Sequence, residues 1–250
     1  MTFKHAICSL SVAAAVLLAG CNNDKEKEHA EKPKNDPAEK YTKPKAGSVN
    51  EKPAPAKNAE PEWTSLFDGK TLGKWAVTNF GGEGDVKVEN GAILLPMGAT
   101  LTGVTYTGDD FPKMNYEIAL EAQRVDGGDF FCGLTFPVDK THASLILGGW
   151  GGTVTGISSL DEKDASSNDT TKYLRYEMKK WYRVRMRVTE DKLESWLDDE
   201  KIVDIKTTGH KIDIRIEVDK SRPLGIATWQ TTGAVRNIRI RKLTPAEIGH

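Results

Sequence analysis

From Trp181 to Val203 the residues alternate with a period of two. Val184, Met186 and Val188 fall on one face, and Arg183, Arg185 and Arg187 on the other. That period belongs to a strand with one buried face. Glu190-Asp191 is the first place where the chain can turn back. A turn there sets Val188 against Leu193, Arg187 against Glu194, Arg185 against Trp196 and Val184 against Leu197. A slip of one residue would carry every apolar side chain to the charged face, so the register is tightly specified. A second turn at Asp198-Asp199-Glu200-Lys201 leads into Ile202-Val203.

The same grammar recurs from Trp63 onward. Val86-Lys87-Val88 and Ala92-Ile93-Leu94-Leu95 flank Asn90-Gly91, a strong hairpin signal. In Tyr116–Ala122, residues 116, 118, 120 and 122 are apolar, while Glu117 and Glu121 point the other way. Ala143–Leu147, Gly225–Gln230 and Val235–Lys242 are further strands; Trp75 and Trp181 are expected in the core. Leu160–Tyr176 is polar and reads as loop. Beyond the N-terminal leader no long segment keeps a helical period, and no 20–50-residue repeat is visible. The expected class is all-β, a sandwich of two antiparallel sheets.

Composition divides the 250 residues into parts. Residues 1–20 have a basic Lys4, an apolar stretch from Ile7 to Leu18 and small residues before Cys21: a secretory leader too short to span a bilayer. Residues 21–62 hold six of the eleven prolines, nine lysines, nine acids and no tryptophan. Such a segment has nothing to bury and reads as a charged, proline-stiffened tether. Residues 63–243 are the folded domain, and 244–250 a tail. The net charge of −1 argues against a general nucleic-acid binder. Of three cysteines, Cys8 leaves with the leader, and Cys132 stands in an apolar run. It reads as buried and inert.

The ending Leu18-Ala19-Gly20-Cys21 resembles a bacterial lipobox. The resemblance implies cleavage before Cys21, lipid on that residue, and a membrane-anchored place in the cell envelope. Asn22 in the following position favours the outer membrane.

Three further stretches, Trp63–Trp75, Val86–Gly91 and Arg236–Arg241, together resemble the 3-keto-disaccharide hydrolase family over roughly residues 63–243. The resemblance implies a concanavalin/laminin-G-like jelly roll, a carbohydrate ligand, and cleavage of glycosides oxidised at C3. A C3 ketone acidifies the C2 proton. A base removes it, the C1 substituent leaves, and water then adds. Such a site needs a base, an acid for the leaving oxygen and a group that polarises the ketone. The chain departs from the family where His142-Ala143-Ser144-Leu145-Ile146-Leu147 lacks a glutamate, and at Gly127–Gly133. The missing glutamate, with the glycine-flanked Trp150, speaks for a second reading, a non-catalytic lectin-like module. A structural or protein-binding sandwich is the third.

Candidate catalytic residues are Asp129, His142, Asp161 and Glu194. Glu117 and Glu121 are about 13 Å apart along one strand, too far to act together on one glycosidic bond. Candidate sugar-binding residues are Trp150, Arg185, Trp196, Trp229 and Gln230. Trp150 is singled out because four glycines flank it in Gly148-Gly149-Trp150-Gly151-Gly152, freedom that a core tryptophan does not require. The acids after it (Asp161, Glu162, Asp164, Asp169) fit a substrate rim or a loop of oxygen ligands for Ca2+, although not with EF-hand spacing.

Overall fold

A computed structural model describes residues 62–109 and 111–248. The leader, Cys21 and nearly all of the tether lie outside the described residues.

Two antiparallel sheets face each other. The first runs β13 (Glu200–Lys206), β12 (Lys192–Leu197), β11 (Trp181–Val188), β6 (Tyr116–Gly127), β15 (Thr231–Lys242), β4 (Ala92–Leu95) and β3 (Lys87–Glu89), with β1 (Thr64–Ser65) beside β15. The second runs β10 (Lys172–Tyr173), β9 (Val154–Ser158), β8 (Thr141–Gly149), β7 (Cys132–Val138), β14 (Gly225–Trp229), β5 (Leu101–Tyr106) and β2 (Trp75–Val77). This is the expected all-β sandwich of jelly-roll type.

The hairpin register is as expected: Val188 pairs with Leu193, Arg187 with Glu194, Arg185 with Trp196 and Val184 with Leu197. The core follows from parity. Ile118, Leu120, Val184 and Met186 of the first sheet meet Leu134, Phe136, Leu145 and Leu147 of the second in one buried cluster. Cys132 is in it, and burial pushes its thiol up to about 12. Trp75 is buried as expected, and its indole N–H donates to Leu66 O at 2.9 Å.

Three details differ from expectation. Trp181 has the parity of the arginines rather than of the valines, so it lies on the outer face, with Arg236 4.1 Å above its ring. β15 starts at Thr231, because the threonines there pair with the far end of β6 without needing an apolar face. Residues Pro245–Ile248 form a helical turn, α1, whose Glu247 reaches back to Arg241 at 2.8 Å.

The outer face of the first sheet carries two cross-strand rows of alternating charge. Arg187, Glu117 and Arg241 are aligned in one, Arg183, Glu121 and Arg236 in the other. Glu117 is fully buried beneath its neighbours. Its carboxylate accepts from Arg187 Nη2 at 2.9 Å, Arg241 Nη2 at 2.8 Å and Arg185 Nη1 at 3.2 Å.

Candidate functional site

The outer face of the second sheet has a different character. Inward positions of β8 are Ala143, Leu145 and Leu147, so His142, Ser144 and Ile146 face out. Thr135, Ser144 and Ser158 are aligned across β7, β8 and β9. Small side chains make this face a trough. A cleft of about 350 Å3 lies in it, with Ser144, Ile146 and Ser158 among its lining.

One end of the cleft is aromatic. Phe130 comes from the β6–β7 turn, Trp150 from the β8–β9 turn and Trp229 from the end of β14. Trp150 is 43% exposed. Its turn is left-handed at four positions: Gly148 (φ 74°), Trp150 (φ 49°), Gly151 (φ 84°) and Gly152 (φ 106°). Glycine relieves the strain at three of them. Asp129 joins the two turns, since its Oδ1 accepts Phe130 N–H at 2.7 Å and its Oδ2 accepts Gly151 N–H at 3.1 Å.

The other end is charged. Arg215 precedes a 3-10 helix, Ile216–Ser221, that forms one wall. Its guanidinium donates to Glu217 at 2.6 Å and to Asp164 at 3.3 Å. The Arg215 contact holds the Glu217 carboxyl below its ordinary range, and Glu217 in turn raises Arg215. Beneath them Ser158 Oγ is buried without a hydrogen-bond partner among the described residues.

Asp129, Trp150 and Trp229 are therefore brought together as candidates; the others are not. Glu194, Arg185 and Trp196 lie on the opposite sheet, facing away from the cleft. There Glu194 accepts from Lys201 at 2.6 Å, and Arg185 stacks 3.9 Å above Trp196. Their shared parity was readable, but which sheet carried the trough was not. Asp161 is bound to His210 Nδ1 at 2.7 Å and to Lys211 N–H at 2.8 Å, outside the cleft. His142 shares the face of Ser144 but does not line the cleft. Desolvation, then nearby Arg222, lowers its pKa and keeps it neutral near pH 7. Gln230 is an exposed turn residue, with φ 42° and its N–H bound to Thr100 O at 2.9 Å.

The acidic loop does not converge on one point. Asp161 turns to His210, Glu162 to Lys211 and Asp164 to Arg215. Among the described residues no group of three or more His, Cys, Asp or Glu side chains could hold a metal ion. The loop thus offers no gathered Ca2+ ligand set.

Arg215, Glu217 and Arg124 escaped the sequence reading. The first two sit in Lys211–Lys220, which alternates charged and apolar residues as a strand would, yet the chain turns into a 3-10 helix at Ile216–Ser221 and brings their charges to the cleft. Arg124 carried a signal: in β6 the core parity of residues 116, 118, 120 and 122 continues to an arginine at 124.

The family described as a 3-keto-alpha-glucoside-1,2-lyase-like domain matches residues 62–241. The chain belongs to this family. Solved structures of similar shape include the apo Crh5 transglycosylase, 12% identical over 75% of this chain and 86% of that one, with a TM-score of 0.51. The carbohydrate binding module CBM66 from Bacillus subtilis is 13% identical over 68% of this chain and 96% of its own, at TM-score 0.47. The pseudo beta-1,3-glucanase of Mycobacterium tuberculosis is 13% identical over 72% and 96%, at TM-score 0.46. At these identities the likeness is one of fold. No curated protein matches the chain significantly.

Proposed function

We propose that the protein is a lipid-anchored envelope hydrolase of 3-keto-glycosides, with the outer-sheet cleft as its active site. The observation that carries this reading is the pairing, in a chain of this family, of two indoles with a guanidinium held between two carboxylates in one cleft. Indole faces suit the C–H face of a sugar ring. Arg215 is the group fit to polarise a C3 ketone and stabilise the enolate that forms on loss of the C2 proton. With the ketone oxygen at Arg215, C2 lies beside Asp164 or Glu217, the nearest proton acceptors. The C2–H electron pair becomes the C1–C2 double bond, the C1–O bond breaks, and the leaving oxygen takes a proton. Water then adds across the double bond.

A second reading, a sugar-binding module without chemistry, is favoured by one observation. Both oxygens of Asp129 are taken by backbone N–H groups, and Asp164 and Glu217 share Arg215, so each cleft carboxylate is already engaged.

The deciding experiment incubates the protein with 3-keto-α-glucosides and their unoxidised parents and follows the sugars by NMR. Release from the keto compounds alone, abolished in Arg215→Met, is expected. Line broadening of sugars without release would move the assignment to the binding module. Neither release nor broadening would overturn both readings.

A further inference from the structure

Arg124 is a charge in a place made for an apolar side chain. It follows Tyr116, Ile118, Leu120 and Ala122 on the inner face of β6, and only 6% of it is exposed. Its guanidinium lies 5.2 Å from the Phe131 ring centroid and 5.7 Å from that of Tyr176. No carboxylate forms an ion pair with it among the described residues, and its Nε has no hydrogen-bond partner. Burial accordingly lowers its pKa. Fully buried arginines are rare unless paired, so an unpaired one calls for a reason.

The reason lies in what its Nη2 reaches. It donates to Asp129 O at 3.1 Å, Gly148 O at 3.1 Å and Gly152 O at 2.9 Å. These carbonyls belong to the two turns that form the aromatic end of the cleft, and two of them bracket Trp150. The glycines are matched to the arginine. A Cβ on Gly148 would collide with Nη2, and one on Gly152 would sit 3.4 Å from Nη1. The glycine-flanked tryptophan and the misplaced arginine are thus two halves of one device. The core-side cation draws three carbonyls inward, and the turn they belong to presents its indole outward.

We propose that Arg124 is the positioning residue of the cleft, setting the Gly148–Gly152 turn and so holding the Trp150 indole where the ligand lies. The ligand part of this rests on the carbohydrate reading above; the positioning part does not. All three carbonyls meet one nitrogen, and the rigid guanidinium plane aims it at them, a direction that an ammonium on a flexible stem does not fix.

Two measurements test the proposal, the first without any ligand. In Arg124→Met the Trp150 indole N–H resonance, assigned by its loss in Trp150→Phe, is expected to shift and broaden. The indole of core residue Trp75 stays in place. Arg124→Lys provides the same comparison if the methionine variant does not fold. An unmoved Trp150 signal in a folded variant would overturn the proposal, whatever the cleft binds. The second measurement is affinity for a 3-keto-α-glucoside and its parent. Arg124→Met and Trp150→Ala are each expected to weaken binding about tenfold, in the range of a lost aromatic anchor. Together they weaken it no more than Trp150→Ala alone, since one acts through the other. Additive losses would refute the coupling. Absence of any sugar binding by the wild-type protein would sink the carbohydrate reading while the resonance still decided Arg124.

Discussion

Replacing Glu117 with glutamine removes one charge and almost no volume from the first sheet. The carboxylate is fully buried, and the guanidiniums that depend on it, Arg241 and Arg187, are 9% and 19% exposed; Arg185, at 39%, leans on water as well. In the variant Arg187 and Arg241 face each other across β6 with only Glu247 of α1 left as an anion, at 3.8 and 2.8 Å. Breaking a buried pair by removing one partner costs about 3–5 kcal/mol, mostly because the remaining charge stays desolvated. Arg185 adds little, since exposed pairs are worth less than ~1 kcal/mol. Against a domain stability of roughly 5–15 kcal/mol the loss is large. At ~2–4 °C per kcal/mol it lowers the melting temperature by about 6–20 °C. Calorimetry and urea titration of the full-length protein give the number. The loss is expected to persist in high salt, because buried pairs are weakly screened. A loss under ~1 kcal/mol, or one that vanishes with salt, would show that water reaches Glu117 and that the row is a solvated surface. Sugar affinity is expected to be unchanged, because the cleft is on the other sheet.

Other expectations follow from single sites. The Glu247 carboxyl is held at about 2 against an ordinary 4.5, chiefly by Arg241, so its contribution to stability is complete above about 4.5 and is lost as pH falls toward 2. Glu247→Gln is therefore less stable than wild type at pH 7, and the two unfold alike once the pH is below that window; a constant difference across pH would contradict this. Cys132, with its thiol near 12, is expected to resist alkylation in the native protein and to react on unfolding; rapid labelling under native conditions would place it elsewhere. Fatty-acid labelling of cells expressing the protein is expected to mark it and to fail for Cys21→Ser; equal labelling of both would remove the anchor. Trp150→Ala is expected to lose sugar affinity with little change in stability, since the indole is 43% exposed; a large drop in melting temperature would make it a packing residue.

Much of the fold was legible because strand parity is a local property. The register of β11 on β12 follows from which residues are apolar, and the same alternation predicts the buried face of β6. Parity also flags its own exceptions. Trp181 shares the phase of Arg183, which is why it lies outside, and Arg124 shares the phase of Ile118, which is why it lies inside. The candidate site was legible only in part. Trp150 stood out because its glycines announce a left-handed turn, a backbone demand that sequence records directly. Glu194, Arg185 and Trp196 were equally plausible as a sugar strip, and nothing local distinguishes one outward face from another.

What the sequence by itself determined is strands β3, β4, β6, β8 and β11 to β15, the inward faces of β6, β11 and β12, the compositional boundary near Trp63 and the glycine-flanked indole, all set by neighbours in the chain. What only the tertiary structure decided is which face is the trough and who meets there. Arg215 reaches Asp164 from 51 residues away, and Arg124 reaches Gly152 from 28. Contacts of that kind are made by strand order and sheet packing, which no local pattern encodes.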